Sequence, residues 1–103
     1  MPAVDVNEAV QFDPVRPRSK VLLDSSQARV MMFCLESGQE VPTHGSTSAV
    51  LFYTVQGEGT ATIGEEQVPL RPGVLVQCPP NVPHGLKGTD SLVVLATIAP
   101  RPF

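Results

Sequence analysis

Eleven prolines and eight glycines punctuate a chain of 103 residues, and the apolar runs between them are short. This punctuation constrains the fold more than any other feature. A proline blocks a helix interior and biases the residue before it away from helical conformation. No twelve-residue stretch keeps a period of about 3.6, so long helices are excluded. Eight candidate strands remain: 21–23, 28–35, 49–55, 60–63, 67–70, 74–78, 84–87 and 91–98. Their separators, SGQE, QGEG, GEE, RPG, PPNVP and KGTD, supply the Gly, Pro and Asn that turns need at fixed or positive φ. Pro72-Gly73 suits a type II turn, and Asn81 can stand where a glycine would because Asn tolerates the left-handed region. Short β-branched runs at regular spacing predict an all-β sandwich or barrel.

The length suits one domain with one core. Residues 1–19 carry Pro2, Pro14 and Pro17 and hold no sustained period, so they read as an extended arm, with the barrel proper over 20–103. The run ARVMMFCL is apolar on both faces, with Met31, Phe33 and Leu35 against Val30, Met32 and Cys34. A strand with one wet face would alternate, so its outer side needs a cover: the arm, a second sheet or a second subunit.

Seven Lys+Arg against ten Asp+Glu give a net charge of -3. That balance leaves no basic footprint for nucleic acid or an anionic membrane. Arg16, Arg18 and Lys20, in the proline-rich arm, read as solvated charges. No apolar run reaches the ~18 residues of a membrane span, and residues 1–20 lack the apolar core of a signal peptide, so the expected compartment is cytoplasmic. Cys34 and Cys78 are too few and too far apart for a zinc ribbon or a CxxC motif, and no disulfide is expected.

Gly38, His44, Ser46, Val50 and Gly57 fall, without a gap, on the spacing G-x5-H-x-H-x3,4-E-x6-G. Gly73, Pro79, Asn81, His84 and Gly88 fall on G-x5-P-x-G-x2-H-x3-N. These are the two motifs of the cupins, and over residues 20 to 98 the chain resembles a small single-domain member of that family. The resemblance implies a double-stranded β-helix, the cupin jelly-roll barrel, carrying the extended N-terminal arm. It also implies a homodimer in which sheet packs on sheet and Val4, Val6, Val10 and Phe12 of the arm find cover.

In cupins that bind metal, the two motif-one histidines, the motif-one glutamate and the motif-two histidine form the ligand set. Here His44 and His84 occupy two of those positions, and Ser46 and Val50 occupy the others. The resemblance thus implies a ligand pocket at His44, Ser46, Val50, Phe52 and His84. His44 and His84 are its candidate metal ligands, for a weakly held divalent ion such as Zn, Ni, Cu or Fe. Three readings of the pair stay open: a bound metal, neutral imidazoles acting on a small-molecule ligand without metal, or buried histidines satisfied by their neighbours. Val50 removes a charge from the pocket and favours an apolar or uncharged ligand.

Met32 and Leu86 are further expected lining residues. Cys78, six residues before His84, is a conceivable third ligand but reads first as a small buried side chain. Glu58, Glu65 and Glu66 read as solvated turn acids. The expected function is a small-molecule-binding barrel. The alternative is a metal-dependent enzyme, a dioxygenase, isomerase or lyase, acting on a small organic acid or sugar derivative.

Overall fold

The structure, a computed structural model, describes residues 3–101. After a one-turn helix, α1 (Val6–Ala9), seven strands follow: β1 (Arg18–Asp24), β2 (Arg29–Leu35), β3 (Glu40–His44), β4 (Ala49–Ile63), β5 (Glu66–Leu70), β6 (Leu75–Cys78) and β7 (His84–Ala99). All pairings are antiparallel, in the order β1-β2-β7-β4-β5, with β3 added to β7 and β6 to β4. The long strands β4 and β7 pair along almost their whole length, from Ala49↔Ala99 to Ile63↔His84. They form the spine on which both halves of the barrel are hung.

Three expectations about the strands are corrected. The runs 49–55 and 60–63 are one strand, and so are 84–87 and 91–98. QGEG does not reverse the chain. Gly57, at φ +76, shifts the pairing register instead, and its Cα lies so close to β7 that a Cβ would sit 2.1 Å from the Ser91 carbonyl oxygen. β3 was not foreseen, because Pro42 interrupts a short polar run; its pairing with β7 nevertheless aligns Glu40↔Lys87 and Val41↔Leu86. The turn chemistry follows the sequence. Val74 N–H donates to the Arg71 carbonyl at 3.0 Å with Gly73 at φ +91, a type II turn, and Asn81 stands at φ 68.

The interior is built from alternate residues: Leu35 on β2, Val50 and Phe52 on β4, Val76 on β6, and Leu86, Leu92, Val94 and Ala96 on β7, all buried. Met31 and Phe33 face the same side. Met32 and Cys34 face outward and form a second cluster with Val93. Met32 therefore does not line the interior, contrary to expectation. Its neighbour Met31 does, because a strand alternates sides at every residue and an all-apolar run hides which parity faces in.

The outer cluster is covered by the arm of the same chain, through Val6, Ala9, Val10 and Phe12. No partner is needed to shelter those side chains. The arm is also not wholly extended: the Asp5 carboxylate caps α1 by accepting from Asn7 and Glu8 N–H at 2.9 and 3.3 Å. The side-chain amide of Gln39 donates to the Asp13 carbonyl at 2.8 Å and ties the arm to the barrel.

Candidate functional site

The interior core stops short of one end of the barrel, where a cavity of about 250 Å³ opens between β2, β3, β4 and β7. Four of the five expected pocket residues lie on these strands, and Ser46 lies in the loop after β3; all five line the cavity. Leu86, also expected, lines it too. Sequence reasoning missed Met31, Phe33, Val41, Ala96 and Ile98. The signal was present in the alternation of β2 and β7, but no parity could be assigned before their register was known.

His44 and His84 are direct partners across the β3–β7 pairing. Their rings meet edge to face with centroids 4.6 Å apart. His44 is exposed at the cavity mouth and His84 is buried. Each ring is anchored by the carbonyl two residues before it: His44 Nδ1 lies 3.0 Å from Pro42 O, and His84 Nδ1 lies 3.1 Å from Val82 O. A carbonyl can only accept, so each Nδ1 carries a hydrogen, and in the neutral ring Nε2 is the bare acceptor. Burial lowers the pKa of His84; the Val82 carbonyl opposes this and nearby His44 adds to it. His84 therefore stays neutral to lower pH than an ordinary histidine.

Phe52 packs edge-on to His84, with centroids 5.8 Å apart. Val50 is 3% exposed and belongs to the core, so the position occupied by the motif glutamate is a hydrocarbon wall. Ser46 Oγ accepts from Ser48 N–H at 3.0 Å, which leaves its own hydrogen to donate. The Ser46 carbonyl in turn accepts from Asn81 N–H at 2.7 Å and joins the two motif loops. No Asp, Glu, Lys or Arg is among the described residues lining the cavity.

Cys78 lies behind His84 rather than inside the cavity. Its Sγ is 3.4 Å from His84 Nδ1 and 3.3 Å from Val82 O, on the anchored side of the ring. Burial raises its pKa, so it is held as a thiol, which is a poor metal ligand. Cys34 is buried beneath the arm, and the two cysteines are not bonded to each other. Glu58, Glu65 and Glu66 are exposed and outside the cavity.

A cupin metal is bound by three or four donors. Among the described residues, no three His, Cys, Asp or Glu side chains converge to hold an ion. Two imidazoles beside a serine and a valine do not fit a tightly held resident metal.

Residues 31–98 match the cupin domain family, well over half of the chain. The chain belongs to the cupins. Among solved structures, this cupin is similar over 99% of its length to the whole of a Thermus thermophilus protein, with TM-score 0.93 and 26% identity. It is likewise similar to an RmlC-like cupin of Desulfovibrio desulfuricans, at TM-score 0.91 and 28% identity, with 99% of each chain covered. A salicylate 1,2-dioxygenase of Pseudoaminobacter salicylatoxidans shares the fold at 16% identity and TM-score 0.77, over 90% of this cupin and 29% of that chain. No curated protein matches this cupin.

Proposed function

We propose that this cupin is a small-molecule-binding barrel in which His44 and His84 present Nε2 acceptors to the ligand and hold a divalent ion only weakly. The carrying observation is the pair of anchored imidazoles lining an otherwise apolar cavity of about 250 Å³. Two donors secure an ion less firmly than the three protein ligands of catalytic sites, so Zn, Ni, Cu or Fe exchanges readily. A metal-dependent dioxygenase, isomerase or lyase acting on an organic acid or sugar derivative would need the ligands that Ser46 and Val50 do not supply.

The test is metal content after purification without an affinity tag. Substoichiometric metal, removed by EDTA at pH 7.5 with the fold retained, is expected. Stoichiometric metal that survives prolonged chelation would reverse the reading in favour of the enzyme.

Two further proposals concern setting. Buried, unpaired Cys34 and Cys78 suit a reducing compartment such as the cytoplasm. The outer face of the sheet leaves Leu23, Leu51, Tyr53 and Leu75 between 41% and 66% exposed, which supports a homodimer formed through that face.

A further inference from the structure

We infer that the cavity selects a neutral, largely hydrocarbon molecule of about ten heavy atoms bearing one hydroxyl, such as a compact phenol, and rejects carboxylates of the same size. This rests on the proposed reading of the cavity as a small-molecule site, and deepens it by naming the ligand class.

Size comes first. An apolar cavity of about 150 Å³ is known to accept benzene, so one of about 250 Å³ accommodates on the order of ten heavy atoms. Charge comes next. The described lining includes no Lys or Arg, and both Nδ1 atoms donate to backbone carbonyls rather than into the cavity. A carboxylate would therefore enter without a cationic partner or an imidazole N–H, and an unpaired buried charge is strongly disfavoured. Polarity limits the ligand further. Beyond the two imidazoles, Ser46 offers the only hydroxyl among the described lining residues. A sugar would bury several hydroxyls against Val50, Phe52 and Leu86 with nothing to bond.

One hydroxyl, however, is fully matched. It can donate to an imidazole Nε2 and accept from the Ser46 hydroxyl, whose oxygen is already engaged by Ser48 N–H. Shape supplies the rest. Phe33, Phe52 and the ring of His84 frame the space with aromatic surfaces, and a flat ring meets such surfaces in edge-to-face contact.

The experiment is a titration of the full chain at pH 7.5 in EDTA, followed by the amide and methyl NMR signals of Leu86, Val50 and Ala96. The probes are 4-isopropylphenol, p-cymene and 4-ethylbenzoate. The phenol should bind roughly three- to tenfold tighter than p-cymene, the advantage of one buried hydrogen-bonded hydroxyl. The benzoate should bind at least ~100-fold more weakly than the phenol. His84→Phe should reduce the phenol's advantage over p-cymene to what His44 and Ser46 still supply. Because His84 is buried, Ser46→Ala serves as the second variant: it should reduce the phenol's advantage and leave p-cymene unchanged.

Benzoate binding as tightly as the phenol would overturn the ligand class while leaving a small-molecule cavity intact. Equal binding of the phenol and p-cymene to the unaltered chain would overturn the role of the hydroxyl. If no probe moves any cavity signal, the inference and the proposed function fall together.

Discussion

At the scale of single residues, His84 and its backing carbonyl give the site its character. The Val82 oxygen sits within reach of both His84 Nδ1, at 3.1 Å, and Cys78 Sγ, at 3.3 Å, so one backbone atom orients the ring and houses the thiol. Burial favours neutral His84 in the folded chain, whereas the unfolded chain takes up the proton at its ordinary pKa of 6.5. The unfolded state therefore binds more protons below that value, and stability must fall as pH drops through it. Urea midpoints measured from pH 8 to pH 5 should be flat above about 6.5 and decline below it. In His84→Phe that decline should shrink, and a midpoint equally flat to pH 5 in the original chain would contradict the assignment. Asp24 does not confuse the result. Hydrogen bonds from Arg101 and Arg29 lower it from 3.8 to about 2, so its contribution disappears only at much lower pH.

At the scale of elements, two glycines of the first motif separate conformation from contact. Gly38 has φ +85 with open space where a Cβ would go, and Gly57 has φ +76 with backbone 2.1 Å from that point. Gly38→Ala should cost only the left-handed penalty of about 1–2 kcal/mol. Gly57→Ala should cost at least ~3 kcal/mol or prevent folding, because β4 and β7 must separate to admit the methyl group. Thermal unfolding of both variants checks the contrast; equal losses would mean that β7 does not press on Gly57. The same elements show what the sequence could reveal. The turn residues were legible because the backbone demands them at set offsets, and His44 and His84 through their places in the two motifs that the chain shares with the cupins. The parity of ARVMMFCL was not, because both its faces are apolar and only the pairing Met31↔Ala96 shows which one points inward. β3 escaped because its pairing partner, not its own composition, makes it a strand. The Cys78–His84 contact escaped because the loop between them had no readable path.

At the scale of the whole molecule, the arm answers one question and sharpens another. It shields Met32, Cys34 and Val93 within its own chain, so the proposed dimer must rest on the uncovered stripe of Leu23, Leu51, Tyr53 and Leu75. Light scattering at micromolar concentration should give twice 11.0 kDa, and Leu51→Lys with Leu75→Glu should give a folded monomer. A monomeric mass for the unaltered chain would dismiss the dimer. The position of β7 has another consequence. It lies between β2 and β4 and also carries β3, yet it is the final strand in sequence. During synthesis, therefore, β2, β3 and β4 are all made before the strand that joins them. The nascent chain holds ARVMMFCL unsheltered by its central partner until β7 has left the ribosome, and chaperones have that interval in which to bind it. Closure of the barrel is then a single late event, in which sheet formation and the meeting of His44 with His84 occur together.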